Sequence, residues 1–167
     1  MAGWLKYIIA IAVAMTLMLT VRTLALSMHS VAGNGLDPLF ADGDQLLINR
    51  CSYGLRIPGN GFLPYSRLWR QPVQRGDIVA FAAPGNSVAG VLIARCKAVP
   101  GDTILTNKGM LVIPGLKTCA EADYYWLEAV NEQNPIDSRH LGFISERNII
   151  GRVACVLFNR HQLRLPQ

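Results

Sequence analysis

The chain is poor in charge. Asp, Glu, Lys and Arg make up 16% of its 167 residues, and 51% are hydrophobic, where an ordinary soluble domain is roughly a quarter charged. Intrinsic disorder, a collagen-like repeat and a coiled coil are thereby excluded, and no internal repeat or low-complexity segment is visible. The four cysteines (51, 96, 119 and 155) contain no C-x-x-C pair, and the three histidines (29, 140 and 161) lie far apart, so the spacing of a zinc site is lacking. Sixteen Lys and Arg against eleven Asp and Glu leave a net charge of +5 and a pI near 9.3. The excess is scattered rather than gathered in a stripe, which argues against a nucleic-acid partner. The length is that of one domain with room for an appendage.

What is abundant is apolar surface at the front. Tyr7 to Val21 runs fifteen residues without a charge, flanked by Trp4 and Lys6 before and Arg22 after. As a helix it reaches roughly 22 Å, short of a bilayer core of about 30 Å. Snorkelling of Lys6 and Arg22 lets Leu5 through Leu26 serve as the span. A cleaved signal peptide is the alternative, with small residues at Ala25/Ser27 or Ser30/Ala32 as cleavage sites. We read a retained anchor over residues 1–26, because the apolar segment continues past Arg22 into Thr23-Leu24-Ala25-Leu26. The α-amine and Lys6 before the span, against Arg22 after it, give a weak bias towards an inside N-terminus with the bulk of the chain outside.

From residue 27 to 167 the pattern is that of short strands. Asp42-Gly43-Asp44 turns into Gln45–Asn49; Arg75-Gly76 introduces Asp77–Phe81, which Pro84-Gly85-Asn86 closes. Val88–Val99 is a long apolar stretch ended by Pro100-Gly101-Asp102. Thr103–Leu105 and Met110–Ile113 flank a turn at Asn107-Lys108-Gly109 and predict a hairpin. Tyr124–Ala129 and Ile149–Phe158 complete the set. No long 3.6-residue period follows residue 30, so the domain is expected to be mainly β, as a barrel or a folded sheet. Residues 57–72 form a Gly/Pro-rich excursion carrying aromatics and arginines. It reads either as a solvated loop or as a contact with lipid headgroups.

Four segments in order carry a resemblance. Gly35-Leu36-Asp37-Pro38-Leu39-Phe40-Ala41-Asp42-Gly43-Asp44 is similar to S-M-x-P-T-L-x-x-G-D, with Leu47-Ile48-Asn49-Arg50 and Tyr53-Gly54-Leu55-Arg56 behind it. Arg75-Gly76-Asp77-Ile78-Val79-Ala80-Phe81 is similar to R-G-D-I-V-V-F, and Ala94-Arg95-Cys96-Lys97-Ala98-Val99-Pro100-Gly101-Asp102 to K-R-V-V-G-L-P-G-D. Ile136-Asp137-Ser138-Arg139-His140-Leu141-Gly142 is similar to D-S-R-x-x-G, with Ile149-Ile150-Gly151-Arg152 following. Each alone is a common turn; together, behind an apolar N-terminus, they resemble the type I signal peptidases, the membrane-anchored leader peptidases of the S26 serine protease family. The resemblance implies a signal-peptidase-like folded β-sheet or barrel domain behind one N-terminal transmembrane helix, in the cytoplasmic membrane with the domain on its outer side. It also implies a partner, a leader peptide or pre-protein bound by strand addition, and calls for no cofactor.

The family's chemistry is a Ser hydroxyl that attacks the scissile carbonyl and a neutral, desolvated Lys amine that takes its proton. Carried over position by position, the nucleophile falls on Gly35, the general base on Ala94 and the Ser that orients the base on Pro135. All three groups are missing. Leu36, Asp37 and Pro38 are what remains to line a substrate cleft, while Asp77, Asp102, Asp137 and Arg139 are retained as turn-formers and structural pairs. Asp137 and Arg139 can join as a charge-assisted pair, and because the three aspartates each serve a turn we read no metal there. Lys97 lies an odd number of residues from Ala94 and is expected on the opposite strand face unless a bulge intervenes. Ser27 and Ser30 do not reach the nucleophile position by register, and His29 faces away from Ser30. Cys96 and Cys155 read equally as a disulfide or as free thiols.

Three functions fit these residues. The favoured one is a non-cleaving member that binds leader segments or pairs with an active peptidase. The others are a working signal peptidase with displaced Ser and Lys, and a structural subunit of a secretion or pilus-type assembly.

Overall fold

In a computed structural model of the chain, the structure describes residues 3–31, 40, 43–57, 64–86, 90–106, 109–119, 121–129, 131 and 136–158. A helix, α1 (Gly3–Ala25), leads into eleven short strands. The large apolar side chains described on α1, among them Trp4, Tyr7, Ile8, Ile11, Met15 and Met18, are at least half exposed; Lys6, Thr16 and Thr20 are the polar ones among the described positions. Among the described residues, which leave out the side chains of 5 and 21–24, no helix is long and apolar enough to cross a membrane. The last turn of α1 is tied to the domain by a hydrogen bond from the Arg50 N–H to the Ala25 carbonyl, 2.8 Å.

Seven strands form one open antiparallel sheet. The strands are β1 (Leu26–Ser30), β2 (Gln45–Asn49), β5 (Ile78–Ala82), β6 (Val91–Ala98), β9 (Tyr124–Glu128), β10 (Ile144–Ser145) and β11 (Ile149–Phe158), in the order β1-β2-β11-β5-β6-β9-β10. The domain is mainly β as expected, and of the two expected forms, barrel or folded sheet, it is an open sheet among the described residues, with β1 and β10 as edges. Two ribbons complete the β structure: β3 (Leu55–Ile57) with β4 (Ser66–Leu68), and β7 (Thr103–Thr106) with β8 (Gly109–Val112). The second is the expected hairpin. The first corrects the reading of residues 57–72 as a loop: a run of only three residues has no period to read, and Leu55, Arg56 and Ile57 pair with Leu68, Arg67 and Ser66. Strand β1 was likewise hidden, because Leu26 continues the apolar run of the helix before it.

Strand alternation puts apolar side chains on both faces of the sheet. On one face Val79 and Phe81 from β5, Ala94 and Cys96 from β6, Tyr125 and Leu127 from β9, Ile144 and Ile149 pack with Tyr53 and Val73. On the other, Leu46 and Ile48 from β2, Ile78 and Ala80, Val153 and Val156 pack with Val31 and Phe40. The strand β5 is buried on both sides from Ile78 to Phe81, which explains its unbroken apolar sequence. A smaller cluster of Ala98, Ile113 and Trp126 closes the far end.

Two glycines of the family-like segments are required by backbone approach. A Cβ on Gly54, at φ +96°, would strike the Leu68 and Trp69 carbonyls, and one on Gly151 would strike the Asn49 carbonyl. Gly76, at φ +88°, has open space around it. Gly54→Ala is therefore expected to lose about 2–3 kcal/mol, left-handed strain plus collision, whereas Gly76→Ala loses about 1 kcal/mol of strain alone. Urea unfolding of both variants in detergent checks the difference.

Candidate active-site scaffold

The turn Arg75-Gly76-Asp77 is clipped to β6 by two backbone bonds, Gly76 N–H to the Cys96 carbonyl and Cys96 N–H to the Asp77 carbonyl, each 2.8 Å. This aims the Asp77 carboxylate, only 6% exposed, into the domain. There its Oδ2 accepts from the Tyr53 hydroxyl at 2.9 Å and from the Gln74 N–H at 3.1 Å, and Arg152 Nη2 stands 3.3 Å from Oδ1. Burial, followed by the charge and hydrogen bond of Asp77, pushes the Tyr53 phenol far above its ordinary value, so it remains a donor. Tyr53, Asp77 and Arg152 belong to three separate family-like segments, and one carboxylate joins them.

A second brace joins the R-G-D and P-G-D segments. Arg75 Nε donates to Asp102 Oδ2 at 2.8 Å, and its Nη2 donates to Oδ1. Asp102 Oδ2 also accepts from the Val99 N–H at 2.8 Å. The hydrogen bond from Arg75 holds the Asp102 carboxyl below its ordinary value, against a smaller opposing effect of burial.

A third brace is built on Asp137, the N-cap of the short helix α2 (Ser138–Leu141). Its side chain is fully buried and accepts from the Ala129 N–H, the Arg139 N–H and Arg139 Nε, each at 2.9 Å. Arg139 Nη2 is 2.7 Å away. Burial alone would raise this carboxyl; the hydrogen bonds from Arg139 and Ala129 outweigh it and the net shift is downward. Ser138 Oγ accepts from the Leu127 N–H at 2.9 Å, which docks α2 on β9.

Of the three positions that correspond to the family's chemistry, the structure describes Ala94. Ala94 lies in the middle of β6, opposite Val79, with no exposed surface, within the apolar cluster of Tyr53, Phe81, Tyr125 and Leu127. Its neighbour Arg95 pairs with Glu128, one residue before the Ala129 amide that Asp137 holds. The segment carrying Pro135 thus departs from and returns to the strand beside Ala94. Gly35, Leu36, Asp37 and Pro38, like Pro135 itself, lie outside the described residues. The neck of the 32–42 segment is described: Val31 N–H bonds the Asp44 carbonyl at 2.8 Å and Gly43 N–H the Val31 carbonyl at 3.1 Å, with Val31 and Phe40 buried on the second face.

Among the described residues, Lys97, His29 and Ser30 are the candidates for a displaced group, and none lies in the apolar cluster around Ala94. A bulge does fall at Lys97, between Cys96↔Leu127 and Ala98↔Trp126. The Lys97 side chain is nevertheless 66% exposed and faces Glu128 at 3.8 Å, because both its neighbours turn inward. His29 is half-buried and Ser30 exposed on β1. All four cysteines are free thiols. Among the described residues no group of His, Cys, Asp and Glu gathers as metal ligands. The partners Tyr53 and Arg152 of buried Asp77, and Arg75 of partly exposed Asp102, were not foreseen; for Asp77 the only signal was that a buried carboxylate needs donors.

Residues 4–123 match the family described as "Signal peptidase, peptidase S26". The chain belongs to that family. The match ends before the D-S-R segment, whose place rests on the Asp137 geometry and the resemblance above. Among relatives, the chain is 24% identical over 172 residues to "Signal peptidase I V" of Bacillus subtilis, covering 85% of this chain and 92% of that protein. It is 26% identical over 188 residues to "Signal peptidase I" of Bacillus licheniformis, covering 96% and 90%. It is also 26% identical over 160 residues to "Inactive signal peptidase IA" of Staphylococcus aureus, covering 89% and 88%. Relatives named as peptidases and one named inactive are thus equally similar to it.

Two measurements check the site's electrostatics. Burial, with the charges of Asp77 and Asp102, pushes the Cys96 thiol up to about 12, so iodoacetamide at neutral pH should label exposed Cys51 and spare Cys96 until urea unfolds the chain. Asp102 and Asp137 have lowered folded-state values. Their contribution to stability is present above the unfolded carboxylate value of about 3.9 and is lost as pH falls through the folded values. Urea midpoints should therefore decline below about pH 4, and less steeply in Asp102→Asn.

Proposed function

We propose that this chain is a non-cleaving member of the signal peptidase family, anchored by α1 in the cytoplasmic membrane with its β domain outside, that binds leader-type segments of exported proteins without hydrolysing them. The single observation that carries the reading is Ala94. The general-base position is a fully buried methyl group inside a desolvated cluster, the surroundings that lower a lysine's pKa, and there is no amine in it. Gly35 and Pro135 supply neither nucleophile nor orienting hydroxyl, while the residues that brace the scaffold are kept.

The capacity to bind outlives the chemistry. Strand β1 pairs only with β2 among the described residues, so its outer edge is open to an extended peptide by strand addition. This is the strand that leads into the nucleophile segment. The side chains of Leu26, Met28 and Ser30 alternate outward along it. A glycine at 35 leaves room where a hydroxyl would stand. The anchor reading is supported by the many exposed apolar side chains of α1 and by the tie from Arg50 to its last turn. We also propose that the boundary between anchor and domain falls at residue 26.

Full-length chain in detergent should bind a fluorescent leader peptide ending in A-x-A with saturable anisotropy and release no product. Proline substitution at Met28, which breaks the strand edge, should weaken binding at least tenfold. Turnover by the natural chain that disappears in Ser27→Ala or Ser30→Ala would establish a displaced active site instead. Absence of peptide binding would favour a scaffold role in a secretion or pilus-type assembly.

A further inference from the structure

The ribbon β3–β4 places two arginines directly opposite one another, Arg56 and Arg67. Like charges at paired positions on one face of an antiparallel ribbon repel. Arg67 is the more confined, with 3% of its side chain exposed. Its Nη2 donates to the Ile149 carbonyl at 2.6 Å. Its Nε and Nη1 are buried without hydrogen-bond partners, as are Arg56 Nε and the Tyr65 hydroxyl. Buried guanidinium donors are almost always satisfied, and here three of them on two facing side chains are not.

The local acids do not account for them. Glu146 stands 3.8 Å from Arg67 Nε, beyond hydrogen-bond reach, and is drawn instead to Arg70, which also binds Asp123. The Arg147 guanidinium is engaged over the Tyr65 ring, 5.7 Å from its centroid. Burial, opposed by Tyr65 but reinforced by the cations Arg67 and Arg50, lowers the pKa of Arg56. Glu146 offsets part of the Arg67 charge through space and Tyr65 part of that of Arg56, yet Arg56 Nε, Arg67 Nε and Arg67 Nη1 stay buried with no hydrogen-bond acceptor.

We propose that Arg56 and Arg67 form a binding site for a phosphate-type oxyanion, held by Arg56 Nε, Arg67 Nε and Nη1, and the Tyr65 hydroxyl. Such a ligand converts the cross-strand repulsion into attraction and matches the planar fork of guanidinium. Two sources carry this chemistry, a phosphorylated solute and a phospholipid headgroup. The ribbon supplies a reason for the second. Beside the ribbon, on the face of β3 opposite to Arg56, Ala25, Cys51, Leu55 and Trp69 line a cavity of about 520 Å³ at the end of α1, the level at which the proposed anchor would leave the membrane. Trp69 itself is 82% exposed. The site lies apart from Ala94 and does not depend on whether the chain cleaves or binds peptide.

The test uses the full chain in a nonionic detergent, following its thermal midpoint. Inorganic phosphate is titrated against sodium chloride at equal ionic strength, and phosphatidylglycerol is added to the micelles in parallel against phosphatidylcholine. A saturable rise with inorganic phosphate, weakened at least tenfold in Arg56→Gln, supports the site with a soluble oxyanion. A rise only with phosphatidylglycerol, lost in the same variant, supports it with a headgroup as the source. Arg67→Gln removes two donors and is expected to abolish the response; should it not fold, Arg56→Gln and Tyr65→Phe remain decisive. No rise with either probe, or equal rises in natural and Arg56→Gln chains, overturns the proposal.

Discussion

The buried carboxylate of Asp77 is the constraint on which the domain's centre depends. It sits at the start of β5, the strand buried on both faces, and is compensated by the Tyr53 hydroxyl, the Gln74 amide and Arg152. Tyr53 comes from the segment after β2, and Arg152 from β11, which lies between β2 and β5 in the sheet. One charge thus joins residues from three neighbouring segments of the sheet. Removing a partner from such a buried charge costs on the order of 3–5 kcal/mol, far more than an exposed pair such as Arg75–Asp102 contributes. The glycines beside these residues have the same logic: Gly54 and Gly151 let backbone pass where any side chain would collide, so that Tyr53 and Arg152 arrive in register.

Seen from this hub, the family-like segments are principally a way of joining strands. The R-G-D turn grips β6 through its backbone, Tyr53 and Arg152 through Asp77, and the P-G-D turn through Arg75. The D-S-R segment grips β9 through Asp137 and Ser138. Membership of the signal peptidase family rests on the match over residues 4–123, while identity to individual relatives stays near a quarter of aligned residues. The contacts demand particular residues whether or not a peptide bond is ever cut. Ala94 is the counterpart. Its methyl group is fully buried and serves the packing of the apolar cluster.

Much of this was legible in the sequence where a physical period or a turn signal is strong. Strands β2 and β11 fall on the expected residues, β5, β6 and β9 within a few residues of theirs, and the β7–β8 hairpin around its expected turn. Ribbon β3–β4, β1 and the two-residue β10 were not legible. Each is too short for alternation to register, and β1 is masked by the apolar run before it. The odd spacing of Lys97 from Ala94 correctly put them on opposite faces, and the bulge at Lys97 did not alter that. What sequence reasoning lacked was the pairing of charges. Asp77, Asp102 and Asp137 were expected as structural, but the donors for the first two, Tyr53, Arg152 and Arg75, are separated along the chain and become neighbours only through the sheet order.

The claim that the family scaffold is intact and only its chemistry absent is tested most directly by restoring that chemistry. Cleavage of a fluorogenic leader peptide in detergent is measured for the natural chain beside Gly35→Ser/Ala94→Lys/Pro135→Ser. Silence from the natural chain and turnover by a folded variant is the predicted result. Turnover by the natural chain at a rate the three substitutions do not raise would contradict it.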